Sequence, residues 1–396
     1  MSDAADDQAQ TTTYSDEEFK ELIGFLQDAK PEVQRFAAEG VCGLTADQGF
    51  VEFCKRQPRS VAKPLLRLVE RAEESFAQSS VVAESVSGQN QKQAEAVAFT
   101  AAGAGLTASS ALQALVNLSG LPAVLEELVR LNAPRRIAES MRSGWMEGRA
   151  EFAHWQAMLL ANLSTSKSGR EALCTDASLL QFLIGAFAAK PRPPPRDGHD
   201  DPLITLGKLL GNVCASPEGR RLLASEGRGA STLLMLKGEL GDRSRRPDVV
   251  NIFRNVCLDE ECHQAVIDAD PVEQLANFLC PWDKMSAEHR QELPKKLREA
   301  LAASGATLTG DGMVRHTSAI AACGLCAGAK GRTYLRGCGF LQVAQAWLQE
   351  EPDEAVRTVL EGMLPSVQLS EEELAAHAAK VEPGDEKLGG MFDGVD

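Results

Sequence analysis

The sequence predicts an all-α chain built from helical repeats, and three observations predict it. First, one pattern recurs along its 396 residues: an apolar-faced helix ends just after an Asn, a short polar turn follows, and Gly-Arg opens the next helix. The pattern stands at residues 157–173 around Asn162, 206–223 around Asn212, and 249–266 around Asn255, where Cys262-His263 takes the Gly-Arg place. It returns at 313–335 with Gly324 for the Asn, and an earlier copy surrounds Asn117. Second, the columns agree. Leu159 and Leu160, Leu209 and Leu210, and Ile252 and Phe253 precede the Asn by three and two residues, and Leu163, Val213 or Val256 follows it. Apolar residues at this spacing mark one face of an α-helix. Third, aromatics are only 5% of the chain, and no run alternates as a strand would.

The Asn-to-Asn steps are 45, 50 and 43 residues. Units in the forties with two or three helices each are the mark of armadillo or HEAT repeats. The expected architecture is therefore an armadillo/HEAT-like right-handed superhelical solenoid over residues 16–365. Each repeat covers only its neighbours, so one array can run the length of a chain this long.

Taken in order, residues 1–15 are polar and acidic and read as a disordered tail. Ser15 and Glu18 then form a capping box for a first helix. Pro31 opens a second helix, with Gly43 in the Asn position, and residues 64–74 read as another. The Ser/Gln-rich stretch 78–93 reads as a surface loop, and the Ala/Gly-rich stretch 94–108 is open between helix and loop. Residues 190–202 carry Lys-Pro-Arg-Pro-Pro-Pro-Arg and favour polyproline II, as a spacer or as a ligand for a proline-reading module. Residues 281–310 are an insert that stretches one step to 69 residues. Residues 366–396 read as an acidic tail, in which Ser370-Glu371-Glu372-Glu373-Leu374 is a candidate start for a short terminal helix and residues 383–396 read as disordered. Its end, Met391 to Asp396, shares Val-Asp and a free carboxylate with a chaperone tail motif, and is otherwise a plain acidic terminus.

The net charge is −15, with −6 in residues 1–19 and −6 again in residues 366–396. Such a chain has no electrostatic reason to hold a phosphate backbone, so no nucleic acid is expected. The ten cysteines fall largely on apolar helix faces, the pattern of buried thiols in a reducing compartment. No signal peptide is legible, no stretch approaches 18 uninterrupted apolar residues, and no membrane association is expected. The expected localisation is cytoplasmic, with the nucleus as the second compartment.

Asn117, Asn162, Asn212 and Asn255 form the leading candidate site. One short amide offers both a donor and an acceptor. In an armadillo groove a ladder of them would hold an extended peptide by its backbone. The other reading is that each Asn bridges helices within the array. Gly169-Arg170, Gly219-Arg220 and Gly331-Arg332 read as structural, Gly for a tight turn and Arg as a bridge between repeats. Cys323 and Cys326 lack a second pair at metal-ligand spacing and read as packed thiols, as do Cys257 and Cys262 beside His263. No phosphate-cradling loop and no nucleophile elbow occurs, so neither a metal, a cofactor nor an enzyme is expected.

Leu115-Val116-Asn117-Leu118, Leu159-Leu160-Ala161-Asn162, Leu209-Leu210-Gly211-Asn212 and Phe253-Arg254-Asn255-Val256-Cys257, with Glu292-Leu293-Pro294 in the insert, resemble the HGH-one homologue family over roughly residues 20–375. That resemblance implies a cytosolic armadillo-type co-chaperone. It would bind newly made translation elongation factor 2 and recruit the cytosolic ring chaperonin. It carries over the Asn ladder and, beside it, Arg254 as client-binding groove positions. The insert is less acidic than the family pattern, and residues 78–93 and 190–202 look like additions.

Two other functions fit a helical array. Nuclear-import adaptors place Trp four residues before the groove Asn, where this chain has Gln113, Met158, Lys208 and Asn251, and they begin basic where this chain begins acidic. A phosphatase regulatory scaffold has no motif to search for.

Overall fold

A computed structural model describes residues 14–86, 91–147, 150–190, 192, 201–225 and 232–378. Among these the chain is all-α, with no strand. It divides into two compact units, residues 1–179 with 193–209, and residues 180–192 with 210–396.

In the first unit α1 (Asp16–Phe25) starts at the expected capping box. The Glu18 amide donates to Ser15 Oγ at 3.3 Å and the Ser15 amide to Glu18 Oε2 at 2.7 Å. Then follow α2 (Pro31–Leu44), α3 (Gln48–Arg56), α4 (Pro58–Val86), α5 (Gln91–Leu118), α6 (Pro122–Arg130), α7 (Ala133–Met146), α8 (Ala153–Leu163) and α9 (Lys167–Cys174). Phe19, Phe50 and Phe53 meet at the start of the core, with ring centroids 5.2 to 6.2 Å apart.

The loop expected at 78–93 is corrected here. α4 runs through to Val86 and α5 begins at Gln91, so only residues 87–90 lie outside the described chain. Ser and Gln are indifferent helix formers rather than breakers, and neither Pro nor Gly interrupts α4 after Pro64. The long α4 and α5 pack side by side, and that contact outweighs composition. The ambiguous stretch 94–108 is thereby helical. Within α5, residues Glu95–Leu118 are apolar and long enough to cross a membrane by length and composition, contrary to expectation, with 44% of the apolar window buried against the rest of the unit.

α10 (Ala177–Phe187) and α11 (Thr205–Val213) carry the division between the units. Of the proline-rich stretch, residues 191 and 193–200 lie outside the described chain. In the second unit come α12 (Pro217–Ala224), α13 (Thr232–Lys237), α14 (Arg246–Cys257), α15 (His263–Ala269) and α16 (Val272–Leu279). The insert is helical, and its Lys/Arg/Glu-rich stretch from Lys295 forms a helix as its composition suggests. It folds as α17 (Ala287–Glu292) and α18 (Lys295–Ser304), whose Leu293, Leu297 and Leu301 pack with Cys280, Val343 and Ala346 in a core of their own. The fourth full copy is α19 (Gly312–Leu325), α20 (Ala329–Gly337) and α21 (Phe340–Glu350).

The C-terminal boundary is also corrected. α22 (Glu354–Gln368) continues through Pro365, burying Leu364 and Val367, and α23 (Glu371–Ala378) follows a second capping box at Ser370 and Glu373. The packed body thus reaches residue 378, and residues 379–396 lie outside the described chain. α23 is fastened by Glu371, which accepts from Arg332 Nε at 3.0 Å and Arg336 at 2.7 Å. These hydrogen bonds hold the Glu371 carboxyl down at about 2. A carboxylate whose folded-state value is depressed stabilises above its unfolded value and loses that contribution as pH falls through the folded one. The α23 contact is therefore expected to loosen between about pH 4.5 and pH 2. Proteolytic cleavage near residue 370, followed against pH, should rise over that window in the wild type and be already raised at pH 6 in Glu371→Gln. A flat profile in both would show that the pair does not hold α23.

Candidate peptide-binding surface

The helices that end in the Asn or its substitute, α2, α5, α8, α11, α14 and α19, share one terminal architecture. Two residues past the reference position stands Thr45, Ser119, Ser164, Cys214, Cys257 or Cys326. The hydroxyls of the first three donate to Cys42, Val116 and Ala161 carbonyls at 2.6 to 2.7 Å, which satisfies acceptors left over at a helix end. The cysteines fill the same place as small buried groups.

The Arg of each Gly-Arg pair closes the same end. Arg170 donates to the Ser164 and Thr165 carbonyls at 3.3 and 2.8 Å, Arg220 to Cys214 and Ala215 at 3.3 Å each, and Arg332 to Cys326 and Ala327 at 2.7 and 3.0 Å. His263 does this work in the remaining copy, with Nε2 2.9 Å from the Cys257 carbonyl. A carbonyl only accepts, so that nitrogen carries the proton. The pairs are structural, but not wholly as expected: each Arg closes the helix end of its own copy, with Arg220 and Arg332 also reaching Asp259 and Glu371, and the Gly has a different reason. A Cβ at Gly169, Gly219 or Gly331 would run into the carbonyl of Leu163, Val213 or Leu325, so the residue is required by close backbone approach rather than by turn conformation. Where Cys262 brings a Cβ, the chain takes a 3-10 turn over Glu260–Cys262 instead.

Against this frame of carbonyls the candidate asparagines fall into register. Asn162 Nδ2 donates to Ser119 Oγ at 2.9 Å and to the Val116 carbonyl at 3.2 Å. Asn255 Nδ2 donates to the Gly211 carbonyl at 3.0 Å. In both, the acceptor residue immediately precedes the Asn of the copy before. Asn117 Nδ2 reaches Thr45 Oγ1 at 2.9 Å, which itself bonds the Cys42 carbonyl. Asn212 is half-buried and also has a partner. Asn117, Asn162 and Asn255 are thus rungs from one copy to the copy before. At Gly324 the rung is missing because α19 lies too close: a Cβ there would stand 2.9 Å from the Cys257 carbonyl oxygen.

What remains for a ligand differs along the ladder. Asn117 is exposed and Asn162 half-exposed, and among the described residues no donor pairs with either Oδ1. Asn255 is buried, and its Oδ1 accepts from Arg254 Nε and Nη2 at 3.0 and 2.8 Å. Burial lowers the affinity of the Arg254 guanidinium for its proton. Asn117 and Asn162 belong to the first unit, and Arg254 and Asn255 to the second.

The outward side of α14 and α19 also carries apolar groups that the sequence pattern did not single out. Leu258 is 41% exposed and Met313 70% exposed, with Ile320 half-exposed about two turns further along the Met313 face. The available signal was that each lies off the buried columns of its own helix. Burial pushes the Cys54, Cys257, Cys280 and Cys326 thiols up to about 12, which makes these four poor nucleophiles. Among the described residues no three His, Cys, Asp or Glu side chains are grouped to hold a metal ion.

A family profile described as a domain of unknown function (DUF383) matches residues 144–304. A comparison with curated proteins finds no match. Among solved structures, an engineered protein is similar over 89% of this chain and 96% of its own, at 14% identity and a TM-score of 0.42. A designed armadillo repeat protein is similar over 88% of this chain and 99% of its own, at 12% identity and a TM-score of 0.41. The assignment of helical repeats rests on the terminal architecture above, which recurs residue by residue.

Proposed function

We propose that this protein is a non-enzymatic adaptor that holds a protein client on the outward side of α14 and α19 in its second unit. The single observation that supports it most is the division of labour at those helix ends. Asn255 is spent on the neighbouring copy, while Leu258 and Met313 stay exposed and Arg254, half-exposed, is held in place on Asn255. Within the second unit, a guanidinium and loose apolar side chains at α14 and α19 suit an extended, partly apolar chain segment. The resemblance to the HGH-one homologue family names the client as newly made elongation factor 2 and the second partner as the cytosolic ring chaperonin, with the cytoplasm as the compartment.

A tagged pull-down with mild crosslinking and mass spectrometry tests this directly. Elongation factor 2 and chaperonin subunits are expected among the enriched proteins. Leu258→Asp/Met313→Asp, which removes no internal hydrogen bond, is expected to reduce client recovery at least about tenfold with unchanged helicity. Enrichment of an import receptor or a phosphatase catalytic subunit in their place would overturn the client assignment. Full client recovery by the double variant would remove these helix faces from the binding surface.

A further inference from the structure

α4 carries Arg59, Lys63, Arg67 and Arg71 at strict four-residue spacing, which puts four cations in one row on a helix. Like charges at this spacing destabilise the helix that holds them. Two have a task in the fold. Arg71 donates to the Leu26 carbonyl at the end of α1 at 3.1 Å, and Arg59 pairs with Glu127 at 2.9 Å. Lys63 and Arg67 have no ion-pair partner among the described residues. The row forms one wall of a cleft of about 330 Å³, and α1 forms the other, adding Lys20. Arg59, Lys63, Arg67 and Lys20 line it, and no acidic side chain does. Lys20 has only an exposed contact of 3.5 Å to Glu17 on its own helix. The floor, Ile23, Phe53 and Pro64, is closed and buried, so the cleft offers charge and little apolar surface.

In a chain of net charge −15, the unpaired Lys63 and Arg67 beside Arg59 and Lys20 have no stabilising role. We infer that the α1–α4 cleft is a docking site for an acidic peptide segment of a partner protein. Guanidinium groups take carboxylates in bidentate pairs, and two lysines supply point charges between them. Charge complementarity selects the occupant. A nucleic acid fits less well, because no exposed aromatic side chain lines the cleft for a base to stack on, and the remaining surface repels a polyphosphate. The cleft is separate from the Asn-bearing helix ends, and its partner need not be the client held there.

The test uses the full chain and a fluorescein-labelled octapeptide of Glu and Asp, read by anisotropy at 0.1 M salt. Saturable binding is expected, with none for a Gly/Ser octapeptide. Binding is expected to vanish at 1 M salt, where the screening length falls from about 10 Å to about 3 Å. Lys63→Glu/Arg67→Glu is expected to weaken binding about tenfold or more at unchanged far-ultraviolet circular dichroism. Should that pair fail to fold, Lys63→Gln/Arg67→Gln carries the same expectation at smaller size. Arg243→Glu, an exposed arginine outside the cleft, should leave the affinity unchanged. Equal weakening by Arg243→Glu would reduce the effect to net charge and overturn the proposal. So would tighter binding of a labelled uridine octanucleotide. Binding that appears only after deletion of residues 1–13 would also overturn it, since the acidic occupant would then be the chain's own N-terminus.

Discussion

Replacing Glu351 by Ala is expected to destabilise the second unit by about 3–5 kcal/mol, the cost of leaving a buried charge without its partner. The Glu351 side chain is fully buried, and that of Arg315 is 7% exposed. Its two oxygens take Arg315 Nε at 3.1 and 2.9 Å, Trp347 Nε1 at 2.6 Å and the Asp353 amide at 3.0 Å. Arg315 also donates to the Thr309 carbonyl at 2.7 Å, which fixes the guanidinium where the carboxylate must be. The truncation orphans a guanidinium, an indole N–H and a backbone N–H at once, in a place water does not reach. Glu351→Gln keeps an acceptor for the indole and should cost less. Arg315→Met/Glu351→Leu should cost less than the sum of the two single changes, because removing both charges also removes the desolvation penalty. Urea denaturation of the four proteins measures this. Additive losses would mean that the two side chains contribute through packing and that the ion pair itself is energetically idle.

The repeats were legible because each Asn-bearing helix has to bury the same stripe against its neighbours, and a stripe of period 3.6 survives in the sequence even where single columns fail, as at Gln156. The Gly-Arg column was legible for the same reason, down to His263 as a substitute donor. Its cause was not, since a glycine demanded by a nearby carbonyl looks like a glycine demanded by a turn. The segment 78–86 was misread because Ser and Gln announce solvent exposure, and an exposed helix held on one side by α5 shares that composition with a loop. Pro365 likewise reads as a stop, yet α22 passes through it, with Leu364 and Val367 buried on either side. At the candidate site, the Asn register was visible and the direction of the amides was not. An amide that bridges copies and one that grips a peptide call for the same residue at the same step, and only the Val116 and Gly211 carbonyls distinguish them. The basic row on α4 is spelled out in the sequence, but separate surface cations become a site only when α1 closes the other side.

Gly219→Ala is expected to lower stability by about 3 kcal/mol, at the upper end of what overpacking costs, because the group in the way is backbone and has no rotamer to change. Helix propensity predicts the opposite sign. An Ala in place of a helical Gly normally gains about 0.5–1 kcal/mol. Gly219 lies in the first turn of α12, where the Ser216 hydroxyl accepts its amide at 3.1 Å and the Val213 carbonyl occupies the space a Cβ would need. To admit the methyl group, α12 must move away from the end of α11, which draws Arg220 off the Cys214 and Ala215 carbonyls it closes. The loss should therefore exceed the steric cost alone. Gly362, exposed in the middle of α22 with nothing within 4 Å of a Cβ, supplies the control. Gly362→Ala should raise the denaturation midpoint while Gly219→Ala lowers it, and Gly331→Ala should follow Gly219→Ala because the Leu325 carbonyl stands in the same relation to it. A stabilising Gly219→Ala would mean that the joint between the two helices of a copy can open at little cost. Terminal carbonyls that the arginines now cover would then be free to take part in binding. A destabilising result of the expected size would make each joint rigid, and place whatever adaptation a client requires in its exposed side chains.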